Sequence, residues 1–168
     1  RLVEAILELL SKVPDTDRRQ ESVPAKVARE ISRRAAAKAA ATAGSLAIPP
    51  GPLGWLTIVP ELLAVWKIQA QMVSDLAGVY GKTASLTKEH MVYCLFRHTA
   101  AQALRDVAVR VAQRAVRGTM ARWLPVAGAV GVGAYAFYDT RQVAATAIEL
   151  FEKNTAVGGP IDRGASTR

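Results

Sequence analysis

Cysteine is all but missing: Cys94 is the one thiol in 168 residues. No disulfide can form within the chain, and a cytosolic or cytosol-facing setting is the simplest reading. Aromatic residues are scarce at 6%, which leaves no platform on which bases would stack, and no zinc module accompanies the basic charge. Nucleic acid is therefore not an expected partner. No segment alternates apolar and polar residues as a half-buried strand does, and no fixed-period repeat of the solenoid kind is present. The longest uncharged run, Ala39 to Pro60, is interrupted by Pro49, Pro50, Gly51, Pro52 and Gly54, so it is not one bilayer-crossing helix. A glycine-flanked serine and a pair of carboxylates across a cleft are also lacking, and no catalytic constellation is legible.

What the chain does have is apolar content and positive charge. Hydrophobic residues make up 51% and charged residues 21%, with 22 Lys and Arg against 14 Asp and Glu for a net charge of +8. This excludes a disordered chain and fits one domain around one core. The positive surface field concentrates anions, whether phosphate backbones or acidic lipid headgroups. The chain opens on Arg1 rather than Met, so it is expected to continue upstream, where any targeting segment would lie.

The apolar spacing predicts an all-α fold, a single bundle of about six helices over residues 1–153, with a flexible Gly- and Pro-containing tail over 154–168. The first helix places Leu2, Ile6, Leu9, Leu10 and Val13 on one side and ends at Pro14. Ser22 is expected to cap the second, with Pro24 in its first turn and Gly44 and the double proline stopping it near Ala43. Its Ala28, Ile31, Ala35 and Ala39 form a small-residue packing face, and Arg29, Arg33, Arg34 and Lys38 a cationic one.

A central helix is expected to begin around Thr57 to Pro60 and to end at Gly81; Thr87 caps the next, which runs to about His98. A further helix over about Ala100 to Arg117 carries Arg110, Arg114 and Arg117 opposite its apolar stripe. In the Gly- and Ala-rich stretch from Trp123 to Tyr138, helical spacing nominates Ala127, Gly131 and Ala134 for backbone contact. The last helix continues through Val143, Ala147, Ile148 and Phe151.

Several motifs invite chemistry. Gly81-Lys82-Thr83 lacks the glycine that a phosphate loop needs five residues earlier, where Leu76 stands, and Gly81 ends a helix instead of opening one. Gly128, Gly131 and Gly133 follow no strand, so helix packing accounts for them better than a dinucleotide turn. His90, Cys94 and His98 stand four apart on one helix, a row that could aim soft ligands at zinc or copper but lacks a fourth protein ligand. An enzyme or metal site there is an open alternative; no cofactor is expected.

The segments Pro52 to Pro60 (PLGWLTIVP), Ala77 to Gly81 (AGVYG) and Leu124 to Gly131 (LPVAGAVG) resemble the bacterial EcsC family, with the likeness covering about Ala39 to Phe151. The asparagine that the family pattern places in the last helix is replaced here near Tyr135 and Ala136. The resemblance implies a bacterial, often membrane-associated helical domain and supplies no active site.

The leading functional expectation is a non-catalytic domain, cytoplasmic and peripheral to the inner membrane, that binds anionic lipid or an apolar small molecule. Arg29, Arg33, Arg34, Arg110, Arg114 and Arg117 would face the headgroups, with Trp55 at the interface. Leu63, Trp66, Ile68, Met72, Leu76, Phe96 and Phe137 would fill the core or line an acyl groove. The alternative is an interaction module that meets a protein partner or its own copy through the uncharged Ile48 to Leu56 turn.

Overall fold

The computed structural model describes Glu8 and residues 12–46, 54–97 and 124–157. Four helices pack together, with no strand among the described residues. They are α1 (Pro24–Leu46), α2 (Gly54–Val79), α3 (Lys88–Phe96) and α4 (Leu124–Val157), and a 3-10 turn at Thr83–Ser85 joins α2 to α3. Helix α1 lies against both α2 and α4, which also touch each other, and α3 closes one end on α2 and α4. Of the expected first helix, Glu8 is helical while Lys12 and Val13 are not. The helix expected over 100–117 lies outside the described residues.

Helix α1 begins at Pro24, whose missing N–H would have been an orphan in the first turn. The residue before it is Val23, so Ser22 is not the cap that the sequence suggested. Gly44 does not stop the helix either: α1 runs through it to Leu46, in ordinary contact with the passing α4. A Cβ on Gly44 would sit 3.4 Å from the Ala129 carbonyl oxygen. Buried Ala28, Ala36, Ala39 and Ala43 keep the rest of that approach close.

Helix α2 starts at Gly54, earlier than the Thr57 to Pro60 start expected, and takes in Pro60 at the loss of the bond its nitrogen cannot donate. Gly54, Trp55 and Leu56 are therefore helix, not turn; residues 47–53 lie outside the described residues. The end of α2 follows the sequence closely. Gly81 adopts φ +66°, and the N–H groups of Lys82 and Gly81 donate to the carbonyls of Ala77 and Gly78 at 2.7 and 3.0 Å. That is a Schellman stop built on the left-handed glycine. Thr87 caps α3 as expected, its hydroxyl accepting from the His90 N–H at 3.3 Å.

Helix α4 is one continuous rod that continues past Asn154, where the sequence expectation begins the tail, to Val157; residues 158–168 lie outside the described residues. Its backbone contact with α1 is at Gly133, not Gly131. A Cβ on Gly133 would meet the Ala40 carbonyl oxygen at 3.0 Å, whereas Gly131 is exposed with nothing near it, and Ala134 is exposed too. The core proper lies toward the other end of α4, where Val143, Ala144, Ala147 and Phe151 join Met72, Val73 and Leu76 of α2 and Met91 and Leu95 of α3. Between α2 and α4 the buried Gln69 amide donates to Asp139 Oδ2 at 2.7 Å and Thr140 Oγ1 at 3.2 Å. A polar pairing at one point of an apolar interface fixes which turn meets which.

Residues 12–21, without regular structure, form a strap along α2. Thr16 donates its hydroxyl to Asp75 Oδ1 at 2.7 Å, Gln71 donates to the Asp15 carbonyl at 3.0 Å, and the Glu21 N–H donates to the Val79 carbonyl at 3.1 Å. The strap presses so closely that a Cβ on Gly78 would fall 2.7 Å from the Arg18 carbonyl oxygen.

Candidate functional site

The cations of α1 do not share one face. Arg29 and Arg33, one turn apart, border a shallow groove of about 290 Å³ between α1 and α4, and Arg141 of α4 completes its rim. Ser32, Ala144, Ala145 and Ile148 form the floor, and no acidic residue lines the groove. Arg29 and Arg141 form no ion pair among the described residues. Arg33 donates to Glu30 Oε2 at 2.9 Å, an exposed pair that leaves most of its fork in solvent. Glu152, which acts on Tyr80 together with Arg29, accepts the Tyr80 hydroxyl at 3.1 Å and is not part of the groove. Burial first, then that bond, pushes the Tyr80 hydroxyl up to about 12, so it is neutral at any physiological pH.

Arg34 and Lys38 turn the other way, toward α2. With Glu30 they border a second cavity of about 340 Å³, closed on the remaining sides by Gln71 and Asp75 of α2 and by Arg18 of the strap. Arg34 Nε donates to Glu30 Oε1 at 2.6 Å; that bond above all, with the charge of Arg33, holds the Glu30 carboxyl below its usual range.

The seven residues expected to fill the core or line an acyl groove are dispersed. Met72 and Leu76 are fully buried in the packed core, and Ile68 and Met72 reach the second cavity. Trp66 and Phe96 meet edge to face at 5.0 Å, Leu63 is half-buried, and Phe137 lies in a separate apolar groove between α1 and α4. Of the expected membrane contacts, Arg29, Arg33 and Arg34 are exposed on α1. Arg110, Arg114 and Arg117 lie outside the described residues, as does the side chain of Trp55. Arg141 and Arg18 were not singled out by sequence, because only the packing of α4 and of the strap on α1 and α2 brings them to these rims.

Two positions of the His90, Cys94 and His98 row are described. His90 Nδ1 lies 3.1 Å from the Ser85 carbonyl oxygen and 3.4 Å from the Thr87 nitrogen, so the ring serves the start of α3. Cys94 is fully buried, and burial pushes its thiol up to about 11. His98 lies outside the described residues, and no group of three metal-ligating side chains occurs among those described. An ordinary thiol titrates near about 8.5. Alkylation of Cys94 by iodoacetamide at neutral pH is thus expected to be about two orders of magnitude slower in the native protein than in denaturant. Rapid native alkylation would restore the nucleophile reading.

No helix among the described residues is long and apolar enough to cross a membrane. Compared with protein-family profiles, with curated proteins and with solved structures, the chain finds no match.

Proposed function

We propose that this basic helical domain attaches peripherally to anionic membrane surfaces, such as the cytosolic face of a bacterial inner membrane, and that Arg29, Arg33 and Arg141 form the contact. The observation that carries this reading is the groove between α1 and α4, which three arginines from two helices line together with Ser32, Ala144, Ala145 and Ile148, with no acidic lining residue. Guanidinium forks match phosphate oxygens two at a time and stay charged at every relevant pH. The net charge of +8 adds long-range attraction to the short-range fit. Arg34, turned toward α2 and away from this groove, is a secondary contact at most. Arg110, Arg114, Arg117 and Trp55 belong to the same proposal on sequence grounds, as does a full bundle of about six helices. The EcsC-like reading rests on its motifs, of which AGVYG forms the α2 stop described above.

Co-sedimentation with phosphatidylcholine vesicles, with and without phosphatidylglycerol, tests the proposal. The protein is expected to pellet with anionic vesicles only and to be released as salt rises. Each arginine near the surface contributes about 1 kcal/mol, so Arg29→Glu/Arg141→Glu should weaken binding by at least about thirtyfold. Lys67→Glu/Lys88→Glu alters the charge equally at exposed sites away from the groove and should weaken it much less. Equal losses would mean bulk charge alone; no binding to anionic vesicles would end the membrane reading.

A further inference from the structure

The second cavity has its own logic, independent of the membrane reading. Its floor is aliphatic, with Ile31 of α1 and Ile68 and Met72 of α2, and it opens to solvent between α1, α2 and the strap. Around it stand three cations and two carboxylates, and their existing bonds decide what remains to recognise a ligand. Both oxygens of Glu30 are taken, one by Arg33 and one by Arg34. Asp75 Oδ1 accepts from the Thr16 hydroxyl at 2.7 Å and from Gln71 Nε2 at 3.1 Å. Arg34 gives its Nε–H to Glu30 and keeps its terminal N–H groups in solvent. Arg18, on the strap, and Lys38, on α1, remain exposed with side chains that form no ion pair or hydrogen bond among the described residues.

Asp75 Oδ2 keeps an open acceptor, but the formal charges around the cavity, three positive and two negative, leave an excess of one positive, with the unpaired Arg18 and Lys38 set on two walls above an apolar floor. We infer that the cavity binds a single-chain amphiphile with an anionic head, the head between Arg18 and Lys38 and the aliphatic body over Ile31, Ile68 and Met72. The size suits such a ligand, since small-molecule sites run from about 300 to 1,000 Å³. A cationic amphiphile would meet Arg18 and Lys38 with like charge, and a neutral alcohol would leave both without a partner. The strap makes the site composite: Gly78 allows Arg18 its close seat on α2, so the cation on that wall comes from residues far away in sequence.

Isothermal titration calorimetry with monomeric decanoate, decanol and decyltrimethylammonium at neutral pH tests this. Decanoate is expected to bind one-to-one, with decanol and the ammonium compound at least about tenfold weaker. Arg18→Ala/Lys38→Ala, two exposed side chains whose loss leaves the core intact, should weaken decanoate by at least about tenfold. Arg29→Glu/Arg141→Glu should leave it unchanged, whatever it does to vesicle binding. Conversely, Arg18→Ala/Lys38→Ala should keep most vesicle binding, which separates a free amphiphile from a bilayer headgroup as the source. No saturable decanoate binding up to about 1 mM, equal affinity for decanol, or indifference to Arg18 and Lys38 would each overturn the inference. So would loss of decanoate binding in Arg29→Glu/Arg141→Glu, which would move the anion to the arginine groove.

Discussion

Replacing Phe151 by alanine is expected to lower the free energy of unfolding by about 3–5 kcal/mol. Phe151 is the largest fully buried side chain described, and it shares one core with Met72, Leu76, Met91 and Val143, elements of three helices. Its ring also lies 6.3 Å from that of Tyr80 at the end of α2. Truncation removes the transfer free energy of the ring and leaves a void that rigid helices cannot fully close, and the two losses add. A domain of this size holds only about 5–15 kcal/mol in total, so about a fifth or more of its stability rests on this residue. Urea denaturation should show the midpoint falling at constant m-value. Val130→Ala, at a position 67% exposed on the same helix, should move stability by no more than about 0.5 kcal/mol. A loss below about 1 kcal/mol for Phe151→Ala would contradict the burial on which the bundle depends.

How far the sequence disclosed this arrangement depends on whether the signal was local. Pro24, Gly81 and Thr87 each act through backbone groups within a few residues, and each was legible as a helix start or stop. Gly44 and Pro60 misled for the complementary reason: as local breakers they cost about 1–3 kcal/mol in a helix, and tertiary packing outweighs that cost. The split of the α1 cations is itself legible in their spacing. Nine steps of about 100° place Lys38 on the opposite side from Arg29, so the two face different neighbours. The convergence of Arg141 with Arg29 and Arg33, and of Arg18 with Lys38, has no local signature at all. It follows from which helix and which strap lie alongside α1, information that one chain's spacing does not contain.

The glycines of α4 show how a register error arises and how it can be tested. Read within the Gly-rich half alone, Ala127, Gly131 and Ala134 make a plausible small-residue face. Read back from the core, the buried stripe Phe151, Ala147, Val143, Thr140 and Ala136 steps by threes and fours to Gly133, which is the residue in contact. The two glycines should therefore respond with opposite sign. Gly131→Ala adds a methyl group in open space and removes glycine's backbone entropy, so stability is expected to rise by about 0.5–1 kcal/mol. Gly133→Leu places its Cβ 3.0 Å from the Ala40 carbonyl oxygen and the rest of the side chain against α1. That oxygen is backbone and cannot rotate aside, so α1 and α4 must separate locally, at a cost of about 1–3 kcal/mol. Thermal melts of both variants read the difference directly. If Gly133→Leu is tolerated and Gly131→Ala is not, then α4 presents its other side to α1, and Arg141, carried on the same rigid helix, no longer faces Arg29 and Arg33.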